Sequence, residues 1–350
     1  MVSNEYSRYI GRKRGVIFIL VLLLIITALW ALNTGSIALN PVQVLKTLIT
    51  GGNQVENVAI WNIRLPRILA GLVAGAGLSV AGCVMQNNLR NPLASPSTLG
   101  ISNAAAFGAN VAIILLGAGT IANTGAGQVI INNPYMVTIL AFLFAMLAAL
   151  LIVCLAKFGG FTPEAIVLAG VALGSLFTAG TTIIQYFAED VKVAAVVFWT
   201  FGDLGRAAWN EVFIMLVLVT MALGYFFLKS WDYNAISSGE ETARGLGVNV
   251  DRVRMAGMLV ASLITAVAVS FLGIIAFIGL IGPQIMRRII GDDHRFLIPS
   301  SALLGSLILL AADTVAKTVI APVVLPVGAV TSFLGAPLFL YLLVRGYNRK

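Results

Sequence analysis

From residue 64 the chain reads Arg64-Leu-Pro-Arg67-Ile-Leu-Ala-Gly71-Leu-Val-Ala-Gly75-Ala-Gly-Leu-Ser79-Val-Ala-Gly82-Cys83-Val-Met-Gln86-Asn87-Asn88-Leu-Arg90. No Lys, Arg, Asp or Glu falls between Arg67 and Arg90. About 20 mainly apolar residues cross the hydrocarbon of a bilayer as a helix, so this run reads as a membrane span. Gly71, Gly75 and Ser79 recur every fourth residue, as do Gly170 and Gly174 further on. Small residues at that spacing let helix backbones approach closely in lipid, which favours a tightly packed bundle over a substrate-lining role for these glycines.

The pattern repeats along the chain. Charges are absent between Arg14 and Lys46, Arg90 and Lys157, Glu164 and Glu189, Glu211 and Lys229, Arg254 and Arg287, Arg295 and Asp313, and Lys317 and Arg345. Ten spans are predicted, near residues 15–34, 66–86, 97–117, 135–156, 164–187, 209–229, 253–274, 276–290, 297–316 and 327–345. The fold class is all-α, a polytopic membrane protein whose five-span halves would be inverted relative to each other. Over 350 residues the chain is 59% hydrophobic and 10% charged, against about 25% charged in a soluble domain. No soluble core could enclose that much apolar surface.

The net charge of +8 reflects membrane orientation, not nucleic-acid binding. With both termini in the cytoplasm, only Lys46, Arg64, Arg67, Lys192, Arg206 and Lys317 fall outside among 22 Lys and Arg, as the positive-inside rule requires. Residues 1–14 form a cytoplasmic N-terminus. The apolar run after Arg12-Lys13-Arg14 reads as a retained span, not a cleaved signal. Cys83 and Cys154 fall within spans and read as packed thiols, not a disulfide.

Three outer segments have their own structure. Asn40-Pro41, followed by Val42, Leu45, Leu48 and Ile49, reads as a capped interfacial helix. Residues 117–134 form a Gly- and Asn-rich loop, and 192–205 are too short to span and suit a re-entrant or interfacial helix. At the outer mouth, Arg64 and Arg67 share a helical face. They make either a positive patch suited to carboxylates or a pair of snorkelling anchors. Asp313 and Lys317, at i and i+4, can pair, or Lys317 can stand free beside the two arginines. On the cytoplasmic side, prolines stiffen the turn around Asn91, Pro92 and Leu93. Within 230–252, Ser238 and Glu241 have capping-box spacing, and Gly245 and Gly247 end the helix. One short rigid helix there has little use to a bilayer and suits docking of another protein. His294 sits among acids and arginines in a cytoplasmic loop, with no second His or Cys to make a metal site.

These features, in order and spacing from Gly35 to Arg345, resemble the permease family of ATP-binding-cassette importers for iron–siderophores, haem and cobalamin, the FecCD type. The resemblance rests on Arg64-Leu-Pro-Arg67, Gln86 with Asn91-Pro-Leu-Ala94, Leu99-Gly100, Trp199 with Gly202, Gly239 to Gly247, Gly279-Leu280 with Pro283, Gly291 to Arg295, Asp313, Leu325-Pro-Val-Gly328 and Gly335-Ala-Pro337. It implies a single permease domain over 1–350 in the cell (inner) membrane, paired with a second permease subunit as homodimer or heterodimer. Two cytoplasmic ATP-binding subunits and an extracytoplasmic substrate-binding protein would complete the transporter. By the same resemblance Arg64, Arg67 and Lys317 grip the binding protein. Ser238, Gly239, Glu240, Glu241, Ala243, Arg244, Leu246 and Gly247 seat in the ATPase, and Asn91, Pro92 and Leu93 form the inner gate. The chain departs from the family at Lys317, where arginine is common, and at Gln284, where histidine is. No catalytic residue, metal or cofactor is implied; the cargo is a ferric siderophore, alternatively haem or cobalamin.

Two rivals fare worse. An ion-coupled transporter needs ionisable groups deep in its spans, and these are nearly free of them. An intramembrane enzyme lacks material: there is no His-Glu-x-x-His and no Gly-x-Ser-x-Gly. Nor is there a Gly-Lys-Ser/Thr phosphate loop to bind ATP.

Overall fold

Each of the ten predicted spans is a helix in the computed structural model, which describes residues 2–35, 39–121, 129–131, 133–160, 162–321 and 323–347. They are α1 (Val2–Asn33), α2 (Leu65–Asn88), α3 (Ile101–Asn110), α4 (Pro134–Phe158), α5 (Pro163–Tyr186), α6 (Trp209–Leu228), α7 (Val250–Leu272), α8 (Ile278–Ile290), α9 (His294–Thr318) and α10 (Val327–Tyr347). Seven runs, α1, α2 with the turns before it, α4, α5, α6, α7 and α9, are long and apolar enough to cross a bilayer; α3 with its continuation to Leu115, and α10, are shorter apolar helices. α1 begins well before residue 15, and α8 is the shortest of the second half, as its interval predicts.

The helix built on the opening stretch is the hub. α2 packs against α9, α7, α8 and α6, all from the second half, while α3 lies on α4 and α5, and α1 on α9. The halves therefore interleave; they are not separate bundles. Glycine permits this. A Cβ on Gly75 would lie 2.5 Å from the Gly305 carbonyl oxygen, and one on Gly82 would lie 1.8 Å from that of Gly279. Ser79 fills the gap against Gly282 and Gly305, and Gly170 and Gly174 receive Leu99 and Gly100 in the same way. The predicted small-residue faces are the helix contacts.

Outside the hub the surface is apolar. Phe18, Ile25 and Leu29 of α1, Leu143 and Leu150 of α4, and Leu168 and Leu176 of α5 are exposed, the side chains that lipid covers in a multi-pass membrane protein. Cys154 lies on this exposed surface, whereas Cys83 is buried; both are free thiols.

The two segments expected to form short helices, 40–50 and 192–205, are helical over most of their length. Asn40 caps Pro41–Thr50 in a capping box with Gln43, and exposed Val42, Leu45 and Ile49 give that helix an apolar outer face. Asp190–Thr200 is a helix whose Val196 and Trp199 are buried. In the 117–134 loop, Gly119–Ile121 pairs antiparallel with Val129–Ile131, Gly119 opposite Ile131. This small ribbon is the departure from an all-helical chain among the described residues; the rest of that loop, 122–128 and 132, lies outside them.

Candidate functional site

Polar groups gather at the two ends of the α2–α9 pair. At the first end, Gln54–Asn57 runs into a π-helical segment, Val58–Arg64, and then into α2. The wide turn follows from Pro66. A proline has no N–H and its ring crowds the preceding turn, and π-bulges relieve such strain. In that register Leu65 N–H donates to the Ile60 carbonyl, so Pro66 leaves the Trp61 carbonyl without its donor. Trp209 Nε1 at the start of α6 fills the place, 2.8 Å away.

The turn aims its arginines inward. Arg64 Nη1 donates to the Leu32 carbonyl at 2.5 Å. Arg67 binds Asp313 in a fork: Nε lies 3.1 Å from both carboxylate oxygens and Nη2 lies 2.8 Å from Oδ1. Nη2 also lies 3.2 Å from Asp203 Oδ1, and Lys317 Nζ lies 2.7 Å from Asp313 Oδ2. Arg64, Arg67 and Lys317 line one cavity of about 300 Å³ together with Thr34 and Gly35. The structure thus brings Lys317 to Arg64 and Arg67, which are remote from it in sequence. It corrects the expectation of an open basic patch: Arg64 is 5% exposed, and the side chains of Arg67 and Lys317 are 12% and 10% exposed. Lys317 is paired, not free. The cause is Asp313, fully buried; a carboxylate in apolar packing needs cations close by, and it draws both inward.

At the opposite end α2 runs out through Gln86, Asn87 and Asn88 into the Asn91 turn. Arg90 has φ 44, and Asn91 Oδ1 accepts from Leu93 N–H at 2.9 Å, leaving Pro92 and Leu93 exposed. The 230–252 segment holds two short helices, Ser230–Ser237 and Glu240–Gly245, not one. The predicted capping box is absent: Ser238 donates its hydroxyl back to the Asn234 carbonyl at 3.2 Å, and Gly239, at φ 127, occupies the cap position. Asn234 and Ser238 stand at the end of the first helix, where free carbonyls compete for the hydroxyl.

Both short helices are fastened to α2. Asn87 Nδ2 donates to the Tyr233 carbonyl at 3.1 Å, and Ser237 donates to Asn87 Oδ1 at 2.8 Å. Buried Arg254 of α7 donates through Nε to the Asn88 carbonyl at 2.9 Å and pairs with Glu240. Ala243 is the buried residue of the second helix, while Glu241, Arg244, Leu246 and Gly247 are exposed. Asn88 and Arg254 carry no sequence signal beyond their polarity at a span end, so sequence reasoning missed them.

His294 is not in a loop. It is the first residue of α9, fully buried, because Asp293 caps that helix, accepting from Arg295 N–H, and Asn234 Oδ1 accepts from His294 N–H at 2.8 Å. Burial alone would raise the Asp293 carboxyl, but hydrogen bonds from Arg295 and Asn234 outweigh it and hold the group at about 2. Glu240 is also lowered, chiefly by its hydrogen bond with Arg254. Both groups favour the charged form when folded, so their contribution is complete above the ordinary carboxylate range and is lost as pH falls from about 4 to about 2. The melting temperature is therefore expected to drop across that window, and Asp293→Asn to flatten the drop; an unchanged acid limb in that variant contradicts it.

A third feature lies on α3 and α5. Asn103, Ser175, Thr178 and Thr182 line an open groove of about 480 Å³, with Asn103 Nδ2 3.1 Å from Thr178 Oγ1. Sequence reasoning missed these residues; the spacing of Ser175, Thr178 and Thr182 on an otherwise apolar span is the signal that marks them.

The comparisons agree with this architecture. The FecCD transport family matches residues 22–345. A Methanocaldococcus jannaschii chain provisionally named an ABC transporter permease protein is 56% identical over 348 residues, 99% of each chain. The hemin transport system permease protein HmuU of Yersinia pestis is 36% identical over 95% of this chain and 96% of its own. A solved inward-facing ABC transporter, provisionally described as of metal-chelate type, superposes with a TM-score of 0.82 at 28% identity, over 95% of this chain and 99% of that one. With its profile, its relatives and its helix order in agreement, the chain belongs to the FecCD transport family.

Proposed function

We propose that the chain is the membrane-spanning permease subunit of an ATP-driven importer that moves a ferric siderophore, or a related metal chelate, into the cytoplasm by alternating access. The supporting observation is the join at the Asn91 end: the Ser230–Ser237 helix is fastened through Asn87, and the short exposed Glu240–Gly245 helix through Arg254 and Asn88, to the same α2 terminus that continues into the Asn91–Leu93 turn. Movement of that helix therefore moves the turn. In this reading two ATP-binding subunits in the cytoplasm seat on Ser238 to Gly247, the 230–252 segment is the coupling loop of a single 1–350 permease domain, and both termini are cytoplasmic. A substrate-binding protein docks outside on Arg64, Arg67 and Lys317, and a second permease copy completes the path along the α3–α5 groove. Such a groove of small neutral groups offers a bulky cargo little to bind, as passage requires. The name of the Yersinia pestis relative makes haem the second reading for cargo.

Leu246 tests the coupling seat. It is 70% exposed, so Leu246→Asp should leave thermal stability within about 0.5 kcal/mol of the parent. Copurification of the ATP-binding subunits is expected to fall at least about tenfold, as loss of one apolar anchor allows. Undiminished copurification contradicts the seat.

A further inference from the structure

We propose that Gln284 is the latch of the inner gate, holding the Asn91–Leu93 turn to α8 through a single side-chain amide. The proposal rests on the gate reading above and adds a positioning residue to it.

The chain of contacts begins with a proline. Pro283 lies inside α8 and has no N–H, so the Gly279 carbonyl, four residues earlier, lacks its helical donor. Gln86 of α2, 3% exposed, supplies one: its Nε2 lies 3.2 Å from Gly279 O and 3.4 Å from Leu280 O. With both amide protons committed to carbonyls, Gln86 presents its oxygen to the other side. There it accepts from Arg287 Nη1 at 3.0 Å and from Gln284 Nε2 at 3.1 Å. Arg287 is itself held by Asp292 Oδ1, 2.6 Å from its Nε. Gln284 must therefore also present its nitrogen, and its second proton goes to the Pro92 carbonyl at 3.1 Å.

Every link has a fixed direction. Gln86 uses its full hydrogen-bonding capacity, so its amide cannot flip without breaking four contacts. Gln284 is the one member of α8 whose side chain hydrogen-bonds the gate turn, while the Gln86 backbone carbonyl accepts from Asn91 N–H at 3.1 Å, and Gln284 is only partly buried. It can release Pro92 to water at little cost while the Gln86 core stays intact, which suits a latch more than a structural strut.

The test places a cysteine reporter at Leu93, which is 42% exposed, in a Cys154→Ala background; Cys83 is buried. The permease is assembled with its ATP-binding subunits in nanodiscs and labelled with a membrane-impermeant maleimide. Labelling of Leu93→Cys should differ between nucleotide-free and ATP-trapped complexes. Without that difference the turn is not a gate, and the latch falls with it. Given the difference, Gln284→Glu, an isosteric change that removes both donated protons, should raise the nucleotide-free labelling rate about fivefold, the factor one net hydrogen bond represents. Gln284→Leu should do the same, with a melting temperature close to the parent's. Rates within twofold of the parent in both variants overturn the latch, as does a fall in melting temperature without faster labelling.

Discussion

Asp313→Ala is expected to destabilise the folded chain by about 3–5 kcal/mol, the cost of breaking a buried ion pair from one side. The carboxylate is fully buried and carries the Arg67 fork and the Lys317 ammonium together. Its loss leaves two nearly buried cations facing each other, with only the half-exposed Asp203 near Arg67. Thermal unfolding in detergent should show the change as a large fall in melting temperature; a shift of a degree or less contradicts the triad's weight. Replacing the whole triad separates structure from function. Arg67→Met, Asp313→Leu and Lys317→Met together remove the charges and their desolvation cost at once, and such apolar replacements are often neutral or stabilising. That variant should melt near the parent temperature yet lose binding-protein-dependent uptake. A stable triple variant with full uptake removes Arg67 and Lys317 from the docking surface.

Gly82→Ala is expected to have a large effect from a single methyl group. The added carbon would lie 1.8 Å from the Gly279 carbonyl oxygen and 2.7 Å from its Cα, both backbone, so no side chain can swing aside. The hub helix and α8 must separate, and overpacking a close-packed contact typically costs about 1–3 kcal/mol and occasionally more. Separation also draws Gln86 away from the Gly279 carbonyl. Folded, monodisperse protein should be nearly lost. Gly224→Ala is the matched control: nothing lies within 4 Å of its added carbon, and alanine in an exposed helix position gains up to about 1 kcal/mol. Equal yields from the two variants contradict the close-packed α2–α8 contact.

The spans were legible because their physics is one-dimensional. A charge-free interval of sufficient length needs no knowledge of its neighbours, and all ten spans placed in such intervals became helices. The glycine faces were legible for the same reason: a four-residue repeat marks a side of a helix. What the sequence did not show was which side meets which. The embedding of α2 among second-half helices depends on carbonyls such as Gly279 and Gly305 lying opposite Gly82 and Gly75, a matter of three-dimensional register. The same limit explains the errors. Ser238 had the spacing of a cap, but Asn234's carbonyl was a nearer partner. His294 looked solvated because its neighbours are charged, yet Asn234, sixty residues away, draws it into the core. Arg64, Arg67 and Lys317 were read as a group, and they are one, but the buried Asp313 that turns Arg67 and Lys317 inward acts only through the fold.

Proline breaks share a logic that the sequence half reveals. Pro66 and Pro283 each free a carbonyl, and in each case a side chain from another helix, Trp209 or Gln86, donates to it. The prolines are in the sequence but were not read there as breaks, and the repairs, the second of which leads directly to the gate turn, depend on the fold.

The most direct measurement of the central claim is import of radiolabelled ferric siderophore into proteoliposomes built from the purified permease, with or without its ATP-binding subunits and its substrate-binding protein. Uptake is expected only when all three components and ATP are present. Accumulation by the permease alone, or uptake sustained by an ion gradient after the ATPase is disabled, would contradict a passive conduit driven by separate engines.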